Sequence, residues 1–135
     1  MATLDEQIET FLAQPAFAVV GASDDPYKYG HRCFKCYLQN NLKAYPVNPN
    51  VPEVLGHKTY KDLLSLPEPI YSVSIITPPM VTEKVVDDAI AAGVKNLWMQ
   101  PGAESRQAVK AAQDAGLNVI YGGPCLLVVL GYRGA

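Results

Sequence analysis

The sequence is short of cysteine, of net positive charge and of long apolar runs, and each shortage excludes a class of protein. Three cysteines are an odd number and too few for a disulfide framework, which fits a reducing interior. A metal site built on them would need a fourth ligand that no spacing supplies, so no metal is expected. Eleven Lys and Arg against thirteen Asp and Glu leave a formal charge of −2, without the basic footprint of a nucleic-acid binder. No apolar run approaches the roughly 18 residues of a membrane span, and the longest, Leu126 to Leu130, has the length of a strand. The opening Met-Ala-Thr-Leu-Asp-Glu-Gln has neither a cationic n-region nor an apolar h-region, so no secretory signal is readable and a cytoplasmic location is expected. What is present, 135 residues with 49% apolar and 18% charged, suits one domain with one core spanning residues 1–135.

Thr3 and Glu6 have capping-box spacing, and Leu4, Ile8, Phe11 and Leu12 recur at helical intervals, so residues 1–14 are expected to pack a helix onto the domain. Phe17-Ala18-Val19-Val20 reads as a strand buried on both faces and stopped by Gly21. A helix is expected from Gly30 to Asn40, then a strand at Ala44-Tyr45-Pro46-Val47 that Pro46 leaves one ladder donor short. Thr59 and Asp62 repeat the capping spacing before Leu63, Leu64 and Leu66, which predicts a short helix. Val73 to Ile76 is an interior strand, and Pro79 suits the first turn of a helix that buries Val81, Val85, Ala89 and Ile90 and leaves Glu83, Lys84, Asp87 and Asp88 in water. Ala92-Gly93-Val94 and Ala115-Gly116-Leu117 each close a helix and lead into a strand, Asn96 to Met99 and Asn118 to Tyr121. Strand centres at Val19, Tyr45, Ile75, Leu97 and Val119 are separated by 26, 30, 22 and 22 residues, a spacing for βα units. The expected architecture is α/β: a doubly wound, Rossmann-like parallel sheet of about five strands with helices on both faces.

In such a sheet ligands bind beyond the C-terminal ends of the strands. The candidates are Gly21-Ala22-Ser23, Val47-Asn48-Pro49, Thr77-Pro78-Pro79, Gln100-Pro101-Gly102 and Gly122-Gly123-Pro124-Cys125. The loop from Gly21 to Gly30 joins a buried strand to a helix, where backbone N–H groups and the helix dipole face a phosphate, and Lys28 adds a movable charge. It is not a G-x-G-x-x-G loop, since Ser23 holds the second glycine position. After the second strand an NAD site calls for Asp or Glu, and this chain has Val47-Asn48-Pro49-Asn50. Neutral Asn tolerates a phosphorylated ribose, which leaves NADP and coenzyme A open, although no basic partner for that phosphate is evident nearby.

Phe17-Ala18-Val19-Val20-Gly21-Ala22-Ser23, Lys28-Tyr29-Gly30 and Tyr45-Pro46-Val47-Asn48-Pro49 resemble the small stand-alone CoA-binding domain family. Thr77-Pro78-Pro79, Gln100-Pro101-Gly102 and Cys125 extend the resemblance over about Ala16 to Leu127. The family resembles in turn the N-terminal CoA-binding domain of the succinyl-CoA synthetase α-subunit. The resemblance implies coenzyme A or an acyl-CoA as ligand, its diphosphate held by Gly21, Ala22, Ser23 and Gly30. Val47 and Asn48 would lie near the adenosine end, with Ile76, Thr77, Pro78 and Pro79 along the pantetheine arm and Gln100 and Pro101 beyond. Tyr71, where the family often has Asp, and Gly122-Gly123-Pro124 depart from the pattern.

Catalytic residues are not evident in the sequence. His57 reads as a solvated loop residue; His31 opens a helix, either donating to a phosphate as a neutral ring or lying on the surface. Neither stands with a Ser or Cys nucleophile and an Asp in a triad. Cys33-x-x-Cys36 has redox-motif spacing, but Cys33 falls inside the helix beside Phe34 and Tyr37, as core residues do. For Cys125 the hypothesis is a mixed disulfide with the CoA thiol, formed under oxidising conditions. Asp24-Asp25 reads as a turn, and one of Tyr27, Tyr29 and Tyr37 as a stacking platform or as sheet-edge packing. The expected function is therefore binding of a small nucleotide ligand, with no nucleic-acid or membrane partner. The alternatives are an accessory subunit of an acyl-CoA synthetase or transferase, or an NADP-binding oxidoreductase or redox sensor. A homodimer or a synthetase-type partner subunit is compatible with either.

Overall fold

Thr3 opens the first helix as its spacing to Glu6 predicts. In the computed structural model, which describes residues 2–134, α1 (Leu4–Leu12) starts with Thr3 Oγ1 accepting from the Glu6 amide at 3.2 Å, while Glu6 Oε1 accepts from the Thr3 amide at 3.0 Å. The chain continues through β1 (Phe17–Val20), α2 (Tyr29–Gln39) and β2 (Ala44–Val47). A hairpin of β3 (Glu53–Val54) and β4 (His57–Lys58) and a 3-10 turn (Leu63–Ser65) precede β5 (Ser72–Ile75). Then follow α3 (Pro79–Ala91), β6 (Asn96–Met99), α4 (Arg106–Asp114), β7 (Asn118–Ile120) and α5 (Leu126–Leu130).

The five long strands form one parallel sheet in the order β2-β1-β5-β6-β7. Alternation along each strand divides the core between its two faces. Phe17 and Val19 point toward Phe11, Phe34, Tyr37 and Trp98, beneath α1, α2 and α5. Ala18, Val20, Val73 and Ile75 point toward Val85, Val86 and Val109 of α3 and α4. Polar groups on the first face are paired. Tyr37 Oη meets Ser74 Oγ at 2.5 Å, and Ser72 Oγ donates to the Phe11 carbonyl at 2.8 Å. Burial pushes the Tyr37 phenol above its ordinary value. Pro46 sits on an edge strand, the place where its missing donor costs least.

Two expectations are corrected and two elements are new. The spacing of Thr59 and Asp62 does not make a capping box: Thr59 donates its hydroxyl to the Val51 carbonyl, and Asp62 alone caps a single 3-10 turn through the Ser65 amide at 2.9 Å. Leu126 to Leu130, the run with the length of a strand, is a helix; Leu126 is buried in the core while Val128 stands 80% exposed. A five-residue apolar run fits either periodicity, and packing against α2 decides. The α3 helix is rotated from its expected setting, burying Thr82, Val85, Val86 and Ala89 and exposing Val81 and Ile90. Thr82 is tolerated inside because its hydroxyl bonds Thr77 Oγ1 at 2.7 Å. The β3-β4 hairpin is additional to the expected elements. Its turn puts Leu55 at φ 49° beside Gly56 at φ 79°, and Leu is not a residue that signals such a turn.

Candidate functional site

From β1 the chain passes outward to β2, then returns past β1 to β5, so the sheet reverses direction between β1 and β5. Neighbouring crossovers leave on opposite faces there, and a crevice opens at the C-terminal ends of the two strands. The Gly21 amide donates to the Val47 carbonyl at 3.0 Å and the Ile76 amide to the Val20 carbonyl at 2.8 Å, so three strand ends finish level.

Glycine is required twice at this point. Gly21 has φ +93°, and a Cβ on it would lie 2.1 Å from the Ile76 carbonyl oxygen. A Cβ on Gly30 would lie 1.9 Å from the Gly21 carbonyl oxygen. The first turn of α2 thus rests directly on the loop after β1. Neither α2 nor α3 has a side-chain cap, and Pro79 occupies the first turn of α3. Two positive helix ends flank the crevice, a setting that favours an anion.

The crevice holds a cleft of about 400 Å³, lined among others by Gly21, Val47, Asn48, Ile76, Thr77 and Pro78. A smaller hollow of about 240 Å³ adjoins it on the β6 side, lined by Tyr29, Gln100 and Pro101 and by the same Ile76, Thr77 and Pro78. Eight of the residues expected to hold the ligand, Gly21, Val47, Asn48, Ile76, Thr77, Pro78, Gln100 and Pro101, therefore meet along the strand ends.

The others lie behind or beside these walls. Ala22 is buried, and its carbonyl accepts from Asn48 Nδ2 at 2.7 Å. Asn48 Oδ1 accepts from the Asn50 amide at 2.8 Å, so this side chain clamps two loops together. Ser23 Oγ accepts from the Asp25 amide at 3.0 Å, and Asp25 Oδ1 from the Tyr27 amide at 3.0 Å, which makes the two aspartates the expected turn. Lys28 is exposed at the start of α2, and Pro79 lies in the exposed first turn of α3.

His31 is not a surface residue. It is buried, and its Nδ1 lies 3.0 Å from the Ser23 carbonyl. A carbonyl only accepts, so Nδ1 carries a proton and donates it to Ser23. The Gln100 side-chain amide is engaged with the start of α5: Oε1 accepts from the Leu126 amide at 2.8 Å, and Nε2 donates to Cys125 Sγ at 3.3 Å. It fastens the start of α5 to the sheet.

The Cys33 and Cys36 thiols are buried, as core packing predicts. Burial pushes Cys33 up, and pushes Cys36 up to about 11, with the nearby Cys125 adding to both. Both are protonated at neutral pH, the opposite of an activated redox thiol. Tyr37 is buried and Tyr27 is 84% exposed, so neither is a half-buried sheet-edge tyrosine. His57 is exposed, on β4.

Lys61, Asp62, Val81, Lys84 and Asp88 also line the larger cleft, though none is expected there from the sequence. For α3 the signal was present: positions 81, 84 and 88 recur at helical spacing on one side. For Lys61 it was not, because its place depends on Tyr60 joining the edge of β2 in a parallel bridge with Val47.

Comparison with known proteins bears on this arrangement. The chain is 32% identical over 91 residues to an ADP-forming acetate–CoA ligase of Methanocaldococcus jannaschii, covering 67% of this chain and 13% of the ligase. It is 27% identical over 124 residues to the ADP-forming acetate–CoA ligase II subunit alpha of Pyrococcus furiosus, covering 84% and 27%. The chain thus spans about a quarter or less of these relatives' lengths. A solved conserved hypothetical protein from Pyrococcus furiosus superposes with a TM-score of 0.81 at 37% identity, over 86% of this chain and 99% of that one. The sequence pattern of the CoA binding domain family matches residues 15–131. The chain belongs to the CoA binding domain family, as its motifs imply.

Proposed function

We propose that the protein binds coenzyme A or an acyl-CoA across the C-terminal ends of β1, β2, β5 and β6. The single observation that carries this reading is the pair of hollows sharing Ile76, Thr77 and Pro78. Side by side along the strand ends, the two hollows suit a nucleotide in the larger and an extended arm in the smaller. The diphosphate faces the Gly21–Ser23 loop and the uncapped start of α2. The adenosine end lies toward Val47 and Asn48. The pantetheine arm follows the end of β5 toward Pro101.

NAD fits less well. Asn48 is neutral and engaged with Ala22 and Asn50, and of the two acids lining the cleft Asp62 has Oδ1 committed to Ser65 and Asp88 is paired with Lys84. The second reading, an accessory subunit of a larger acyl-CoA ligase, is supported by the alpha subunit among the relatives. The test is a thermal-shift series with CoA, acetyl-CoA, NAD, NADP and ADP. A ligand selective for the native state raises the midpoint with concentration. CoA and acetyl-CoA are expected to shift it most; a shift with NADP alone contradicts the reading.

A further inference from the structure

A ligand of this class carries a phosphate on its ribose, and the segment after β2 offers it only neutral residues, Asn48 and Asn50. The charge comes from elsewhere in the chain. The Tyr60 amide donates to the Pro46 carbonyl at 3.0 Å, and the Asn48 amide donates to the Tyr60 carbonyl at 2.9 Å. Tyr60 is thereby held in parallel against Val47, and Lys61 emerges beside Asn48 at the same end of the sheet. The β3-β4 hairpin is what returns the chain to this position. Lys61 lines the larger cleft and makes no ion pair among the described residues.

Lys84 lines the same cleft from α3. Its Nζ pairs with Asp88 at 3.0 Å, an exposed i,i+4 contact that a phosphate dianion readily replaces. Two carboxylates share the cleft. Asp88 is held by Lys84, and Asp62 accepts through Oδ1 from the Ser65 amide and, at 2.7 Å, from Ser65 Oγ. Lys61 is therefore the cation whose charge no described partner offsets.

We infer that Lys61, supported by Lys84 across the cleft, forms the subsite for the ribose phosphate and makes the protein selective for 3′-phosphorylated over unphosphorylated CoA. This rests on the CoA reading above. The test compares CoA with 3′-dephospho-CoA by titration calorimetry on the wild type, Lys61→Met and Lys84→Met, each checked for an unchanged unfolding midpoint. The wild type is expected to prefer CoA by about tenfold or more, the scale of one hydrogen bond to a charged group. Lys61→Met should lose most of that preference with dephospho-CoA binding changed less than about twofold, and Lys84→Met should lose about two- to threefold. Equal wild-type affinity for the two ligands overturns the inference and leaves CoA binding intact. So does a Lys61→Met variant that keeps the preference or weakens both ligands alike. If neither ligand binds, the CoA reading itself fails, and the inference with it.

Discussion

At the scale of single residues, the loop after β1 owes its shape to contacts that leave no room for a side chain. Gly30 has an ordinary helical setting, yet its Cα faces the Gly21 carbonyl so closely that a methyl group would lie 1.9 Å from the oxygen. Gly30→Ala must push α2 away from the sheet, at a cost of about 2–4 kcal/mol from overpacking and loop strain. Urea unfolding without ligand checks this; an unchanged midpoint would show that the loop yields freely. The importance of Gly21 and Gly30 was legible in the sequence, and so was their place between a strand and a helix. The reason for Gly30 was not, because the oxygen it must avoid belongs to a residue outside its own helix. Asn48 teaches the same lesson. Its neutrality was readable, but its bond to Ala22 spans 26 residues, a contact created only by the pairing of β1 with β2.

At the scale of elements, the alternation of buried strands and amphipathic helices was readable because each strand is a four-residue or shorter apolar unit bounded by strong punctuation. The ends of α3 and α4 illustrate this: the Val94 amide returns to Ala89 at 3.0 Å and the Leu117 amide to Ala112 at 3.0 Å, both just past the expected Ala-Gly pairs. Elements set by tertiary contact escaped. The rotation of α3 depends on Thr77 satisfying the Thr82 hydroxyl, and the helical state of Leu126 to Leu130 on Gln100 and on α2. Gln100→Met keeps the volume and removes the acceptor of the buried Leu126 amide, which should cost about 1–3 kcal/mol. The loss is expected to be local. Amide exchange should quicken over residues 126–130 and Cys125 should react faster with a thiol reagent, while the strands keep their protection. Unaltered exchange in α5 would mean that apolar packing alone holds it.

At the scale of the whole molecule, two helical layers clamp a sheet whose polar groups on the α1 and α2 side are buried and paired. Burial holds the Cys33 and Cys36 thiols and the Tyr37 phenol above their ordinary values, Cys36 at about 11 against 9.0. In the unfolded chain these groups lose protons first, so the unfolded state binds fewer protons once pH passes 9. Their contribution to stability is complete below that pH and is lost as pH rises toward 11. The urea midpoint should be level from about pH 7 to 8 and drop by pH 10.5, by the equivalent of at least about 1 kcal/mol, with a shallower fall in Cys36→Ala. A midpoint independent of alkaline pH would contradict this assignment.

Coenzyme A is expected to lie along the C-terminal ends of the strands. Backbone amide chemical shifts, recorded while CoA is added, test that most directly. Shifts are predicted at Gly21, Ala22, Ser23, Asn48, Ile76, Thr77 and Gln100, along the ends of four neighbouring strands. No shifts, or shifts confined to the groove at the opposite end of the sheet lined by Leu66, Ile70 and Val94, would contradict it.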